Sequence, residues 1–350
     1  MAEPRSESER EKSLFGVDET WLQQHREEII EPNLPIVDPH HHLWDRGSRY
    51  LLEEFLADID TGHDIRASVF VQCDSMYRAD GDPDLAPVGE TEFVNGVAAM
   101  SASGGYGSAR ICTGIVGFAE LRLGARVDAI LEAHLRAAGQ RFKGVRGRSV
   151  WDADPTIKGS AKDFPKGLLL DSAFREGYAR LSRYGLSFDS WLFHPQIPEL
   201  ADLAGKFPET PIVLDHIGGP LAIGVYAGKK DSVFSDWRRN MAELAQRANV
   251  SVKLGGLAMH LFGFDLDSAH RAAPASSDEL SMAWRPYVET CIEIFGADRC
   301  MFESNFPVDK RGVSYAVLWN AFKRLAAGCS TGEKAALFKD TACRVYRLAV

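Results

Sequence analysis

The sequence predicts one α/β domain, a (β/α)8 TIM barrel with an N-terminal helical extension. Three observations carry that prediction. Eight short apolar runs alternate with segments of helical spacing along most of the 350 residues, the order that builds a parallel sheet covered by helices. The first run is not followed by the G-x-G-x-x-G turn that a doubly wound dinucleotide fold needs there. It ends instead in three consecutive histidines, and barrels carry their chemistry at the C-terminal ends of their strands.

Residues 1–16 are charged and read as a tail. Asp18-Glu19-Thr20 opens a helix to about Glu31, with acidic residues in its first turn, and Pro32 and Pro35 end it. Residues 1–33 are thus a tail and helix, and 34–350 the barrel. Runs rich in Val, Ile or Phe predict strands over 36–41, 67–73, 111–119, 142–147, 186–192, 211–216, 250–255 and 299–305. Several are almost continuously apolar, as strands covered on both faces are. Helical spacing falls at 50–60, 90–102, 125–139, 172–184, 197–206, 234–248 and 279–296, then at 313–326 and 332–347. The long connections 74–90, 148–170, 217–231 and 256–278 all come after strands, so in a barrel they cover the mouth.

Composition narrows the function. Hydrophobic residues make up 45% and charged residues 25%, ordinary for a globular protein. A formal net charge of −9 disfavours nucleic acid and anionic membrane as partners, which points to a small-molecule substrate and leaves a homo-oligomer open. No run of about 18 apolar residues predicts a membrane span. The N-terminus lacks the apolar core of a secretory signal. The six cysteines have no C-x-x-C spacing and read as reduced, mostly buried thiols. These features predict a cytoplasmic protein.

The first strand reads Ile36-Val37-Asp38-Pro39-His40-His41-His42-Leu43-Trp44. Strict alternation puts Asp38, His40 and His42 on one face, with the two imidazoles roughly 6–7 Å apart, close enough to serve one metal ion or one substrate carbonyl. The fifth and sixth strands end in His194 and His216, each followed by a turn. Arg146 and Arg148 share a face of the fourth strand, where guanidinium groups at a pocket rim bind carboxylates. In the eighth strand Met301, Glu303 and Asn305 share a face, with Asn305 at the top. A carboxylate inside a barrel is costly unless paired, so Glu303 is either a proton-transfer group of raised pKa or an anchor for the barrel histidines. Trp44, Trp151, Trp191 and Phe306 at the presumed mouth hint at a planar substrate.

With VDPHHHLWD, FKGVRGR, LSFDSWLFHPQIPEL, PIVLDHIGGP and CMFESNFPVDK in these places, the chain resembles the amidohydrolase-related family of metal-dependent hydrolases, including its lactonase group. The resemblance runs from about Leu34 to the C-terminus. It implies that His40 and His42 line the reacting carbonyl or bind a divalent metal, that His216 completes the cluster, and that Arg146 holds a substrate carboxylate. It also implies a strand-eight aspartate as general base. This chain has Ser304-Asn305-Phe306-Pro307 there, and Asn305 takes no proton at neutral pH. The expectation is therefore a hydrolase that opens a lactone or cyclic ester of a small carboxylated or hydroxylated molecule. His40, His42, His216, Glu303 and Asn305 would be catalytic, and Arg146, Arg148, His194 and Trp44 would bind substrate. The cofactor is one divalent metal, zinc or manganese, or none. The alternatives are a metal-dependent decarboxylase or hydratase on the same barrel, and a ligand-binding barrel that has lost its base.

Overall fold

The computed structural model describes residues 16–159 and 163–350. The barrel strands are β1 (Pro35–His41), β2 (Asp64–Val71), β3 (Arg110–Gly117), β4 (Phe142–Arg148), β5 (Ser187–Trp191), β6 (Ile212–Leu214), β7 (Val250–Leu254) and β8 (Cys300–Phe302). They form one parallel sheet in sequence order, each paired with its neighbour. The ring closes just beyond β8: His42 N–H donates to the Phe306 carbonyl at 2.7 Å and Asn305 N–H to the His40 carbonyl at 2.9 Å. Helices lie between the strands, among them Leu52–Ile59, Val88–Ala102, Val127–Ala138, Ile197–Lys206, Lys230–Leu244, Ser277–Phe295 and Tyr315–Leu325. No helix among the described residues is long and apolar enough to cross a membrane.

All eight predicted strands are present, and the differences lie at their ends. β6 and β8 are shorter than predicted, because His216, Ile217 and Asn305 adopt positive φ and leave the extended conformation. A small antiparallel hairpin, Trp44–Arg46 with Ser48–Tyr50, comes after β1. The N-terminal helix is a single turn, Glu19–Leu22, capped by the Asp18 carboxylate, and does not reach Glu31. Tertiary contacts outcompete it: Asn320 Oδ1 accepts from Ile30 N–H, and Glu27 accepts from the N–H of Ser277. Most of the predicted tail, residues 1–15, lies outside the described residues.

β1 carries the feature that aims the histidines. Asp38 pairs with Ser68 of β2 and His41 with Phe70, so β1 holds one extra residue across this step. Such a bulge reverses the alternation of faces. Val37 points into the barrel with Val69, Val71, Val116, Val213 and Met301. Asp38 turns outward, where it accepts hydrogen bonds from Ser304 N–H and the Tyr315 hydroxyl at 3.0 Å each. The lower interior is sealed by the C-terminal helix, whose Ala342, Val345 and Tyr346 pack on the same valines. All six cysteines are free, and four of them are buried.

Candidate active site

The bulge sends Asp38 away from His40 and His42, contrary to strict alternation, while the two imidazoles point inward together. Their Nε2 atoms are 3.3 Å apart and the rings meet edge to face. His216 arrives from the turn after β6, its ring 4.7 Å from that of His40. Gly255 and Gly256 make room: a Cβ on Gly256 would lie 2.5 Å from His216 Nδ1, and one on Gly255 would lie 2.4 Å from the Glu303 carbonyl.

Glu303 bridges two of the rings. One carboxylate oxygen accepts from His216 Nδ1–H at 2.7 Å and from His216 N–H at 3.1 Å. The other lies 2.7 Å from His40 Nδ1. His42 Nδ1 donates to the Val71 carbonyl at 2.7 Å. Burial alone would raise the Glu303 pKa, but the imidazoles of His216 and His40 outweigh it and hold the carboxyl well below the ordinary range. Glu303 is thus an anion committed to the histidines, the anchor of the two roles that the sequence leaves open.

Acceptors at Nδ1 of His42 and of His216 place their protons there, so Nε2 of each is the unprotonated nitrogen, whereas His40 Nδ1 faces both the Glu303 oxygen at 2.7 Å and the Lys253 ammonium at 3.2 Å. Burial first, and the nearby Lys253 charge second, push the His40 pKa down to about 4. His42 is held well below its usual value, chiefly by burial. Both rings are neutral at pH 7, and their Nε2 atoms face each other across 3.3 Å.

Below the histidines lies a charged floor that sequence reasoning missed. Lys253 of β7 is fully buried. Its ammonium donates to Asp189 at 2.7 Å and Asp215 at 3.1 Å, and lies 3.2 Å from His40 Nδ1. Burial opposes its charge, but the two aspartates raise its pKa overall. The Tyr346 hydroxyl completes the floor with a 2.5 Å bond to Asp189. The available signal was the lysine within Val250-Ser251-Val252-Lys253-Leu254, a charge at an inward position of an apolar strand.

Both arginines arrive already engaged. Arg146 donates from Nε to Asp215 at 2.9 Å, from one terminal nitrogen to the Gln72 carbonyl at 3.2 Å, and from the other to His216 Nε2 at 3.2 Å. Arg148, one layer nearer the mouth, grips Asp74 with two bonds of 2.7 and 2.9 Å. Asn305 does not crown the cluster, because its positive φ turns the amide toward Asp309, to which it donates at 2.9 Å. His194 stays apart as well. It opens a short helical turn, its Nδ1 accepts from Leu221 N–H at 3.3 Å, and its ring packs on Tyr226. Its neighbours Pro195 and Gln196 line a cleft of about 730 Å3 that none of the cluster histidines lines. Trp44 is buried, stacked on His42 with centroids 5.7 Å apart.

The family model described as "Amidohydrolase" matches residues 37–348. The chain belongs to the amidohydrolase family. It is 34% identical over 345 residues to an uncharacterised protein of Sinorhizobium fredii, covering 90% of this chain and 99% of that one. It is 26% identical to an L-fucono-1,5-lactonase of Burkholderia multivorans, with 89% and 96% covered. Among solved structures, a zinc-bound amidohydrolase of Burkholderia multivorans superposes with a TM-score of 0.68 at 24% identity, covering 90% and 99%. A 5-carboxyvanillate decarboxylase of Sphingomonas paucimobilis gives 0.54 at 13%, covering 90% and 100%. At these identities the structural likenesses establish the barrel alone.

The donor set of this amidohydrolase fits a divalent ion. Two imidazole nitrogens on one tetrahedral ion, with bonds of about 2.0–2.1 Å, sit roughly 3.3 Å apart, and His40 Nε2 and His42 Nε2 are 3.3 Å apart. The acceptor behind each Nδ1 is what metal-ligating histidines ordinarily have.

Proposed function

We propose that this amidohydrolase opens the ring of a lactone or cyclic ester of a small molecule. The observation that carries the proposal is the Glu303–His216 pair. An anionic carboxylate holds Nδ1–H at 2.7 Å, which leaves Nε2 as the basic nitrogen, on which an Arg146 N–H rests at 3.2 Å. The lactonase relative that spans nearly the whole chain supports the same chemistry.

His216 Nε2 takes the proton of the attacking water, and Glu303 stabilises the imidazolium that forms, as the carboxylate of a catalytic triad does. In this step the Arg146 N–H that rests on Nε2 at 3.2 Å turns to the oxyanion that develops at the carbonyl, which frees the Nε2 lone pair for the water proton. A positioned donor of this kind contributes about 3–4 kcal/mol to the barrier. With its proton on Nδ1, His42 has no N–H for the carbonyl oxygen. The Nε2 atoms of His40 and His42, 3.3 Å apart, would instead hold a divalent ion, which when bound polarises the carbonyl as a Lewis acid. His216 therefore takes over the base role that the resemblance gives to a strand-eight aspartate, where this chain has Asn305.

The test is a panel of γ- and δ-lactones in a weakly buffered pH-indicator assay, run beside a CO2-release assay on aromatic carboxylates. Ring opening by the wild type, reduced about 10²–10⁴-fold in kcat by His216→Asn, is the expected result. No lactone turnover, or CO2 release without it, refutes the proposal and favours decarboxylation.

A further inference from the structure

We infer that the loop after β7 carries a site for a zinc-class divalent ion, held by His260, Asp265 and His270, and that the ion staples this loop at the mouth end of the barrel. The site lies outside the cluster of His40, His42 and His216, and it does not depend on lactone chemistry.

Three ligand side chains converge there. His260 opens a short helical turn, His260–Phe262, and Gly263 and Asp265 then take positive φ, 65° and 49°, which folds the chain back on that turn. His260 Nδ1 comes to 3.6 Å from an Asp265 carboxylate oxygen. His270 returns from further along the loop and stacks on His260, with ring centroids 5.4 Å apart and planes 15° from parallel. One ligand atom from each of the three lies within 4.8 Å of the other two. Ligands on one tetrahedral ion sit roughly 3.3 Å apart, so the widest gap exceeds this by about 1.5 Å. The side chains can close it. Those of His260 and Asp265 are each 54% exposed and that of His270 40%, and exposed rotamers interchange quickly.

A second, independent observation points to a metal. Asp267 accepts from His270 Nδ1–H at 2.6 Å and from Ala269 N–H at 3.1 Å. Its own carbonyl is fixed by the N–H groups of His270 and Arg271 at 3.0 and 3.1 Å. The neutral His270 ring thus carries its proton on Nδ1 and offers Nε2. A carboxylate in this position orients the ring and raises its basicity, as it does behind metal-ligating histidines. Two imidazoles and a carboxylate are a donor set that zinc and its neighbours in the first transition row accept, with a fourth position left to water.

The staple would act on backbone that seats the histidine cluster. The loop starts at Gly255 and Gly256, which lie against Glu303 and His216, and Ala258 N–H donates to Asp309 at 3.2 Å. Tying His260 to His270 closes the part of the loop that follows.

The test is equilibrium dialysis of the full chain against zinc chloride, with bound zinc read by atomic absorption. The wild type should hold one more ion per chain than the double variant His260→Ala/His270→Ala. Reading the difference keeps any ion on His40 and His42 out of the answer. Both replaced histidines are exposed, so the double variant should keep the wild-type circular dichroism spectrum and urea midpoint. Asp267→Asn still accepts from both N–H groups but loses its charge, and it should weaken the ion about 10–100-fold. Zinc should also slow trypsin cleavage after Arg271, followed by mass spectrometry, at least about threefold in the wild type and not in the double variant. Equal zinc stoichiometry in the wild type and the double variant overturns the inference. So does wild-type cleavage after Arg271 at one rate with and without zinc, or undiminished affinity in Asp267→Asn.

Discussion

Replacing Glu303 with glutamine isolates what the buried carboxylate does. The amide can still accept from His216 Nδ1–H and N–H, now 2.7 and 3.1 Å from one carboxylate oxygen. Its NH2 group then faces His40 Nδ1, 2.7 Å from the other oxygen. Two donors cannot share that distance, so in the variant the His40 proton sits on Nε2. That N–H points at His42 Nε2 across 3.3 Å and makes a hydrogen bond there. Charge-assisted bonds worth about 1.5–3 kcal/mol become neutral ones worth about 0.5–1.5. The new imidazole–imidazole bond offsets part of the loss, leaving a net destabilisation of about 2 kcal/mol. Chemistry suffers far more. The His216 imidazolium loses its counter-charge, and kcat should fall about 10²–10⁴-fold. The His40–His42 lone pairs are consumed, so divalent-metal affinity should fall about 10–100-fold. Urea melts, kcat on the best lactone and 15N shifts of the imidazoles read the three effects separately. Wild-type kcat, or a His40 proton still on Nδ1, would refute the tautomer argument.

Three further outcomes are expected. Lys253→Met leaves Asp189 and Asp215 buried without their shared cation and should cost about 3–5 kcal/mol in urea unfolding; a loss below about 1 kcal/mol would show that the floor is not held by charge. Gly256→Ala puts a Cβ at 2.5 Å from His216 Nδ1 at a φ of +70°, so activity should drop with little change in secondary structure, and unchanged kcat would mean that the His216 position is not critical. Stability should fall steeply as pH drops from 6.5 toward 4. Burial pushes His40, His63, His134 and His194 down to about 4 and His41 to about 3, and holds His42 well below its usual value. Near pH 5 the unfolded chain binds these six protons and the folded chain does not, so each favours unfolding as pH falls. Burial raises Asp38 to about 6 and Glu90 to about 7, and raises Asp309 as well, so these three keep protons in the fold and act oppositely. The remainder is roughly three protons, or about 4 kcal/mol per pH unit. Urea midpoints that stay flat between pH 6 and 4.5 would contradict it.

The histidines were legible because the residues at the mouth of a barrel lie where apolar strands end, His40 and His42 at the end of β1 and His216 just beyond β6. The bulge at Asp38 was not, since an inserted residue leaves the hydrophobic pattern of β1 intact and only exchanges the faces of the residues beyond it. The positive φ of Asn305 hid in the same way: a two-residue period places its amide above Glu303, and one left-handed residue turns it to Asp309. The arginines were found, but their partners lie 69 and 74 positions away in sequence. Sequence spacing within one strand carries no information about such pairs.

Tyr346 ties the last helix to the first histidines through Asp189, Lys253 and His40, one continuous line of polar contacts up the axis of the barrel. The floor beneath the histidines is therefore completed by a residue that leaves the ribosome after every strand has been synthesised. Contacts between residues so far apart close slowly. A nascent barrel with all eight strands paired would hold the three histidines, Lys253 and its two aspartates, and still lack the Tyr346 hydroxyl that closes the floor beneath them.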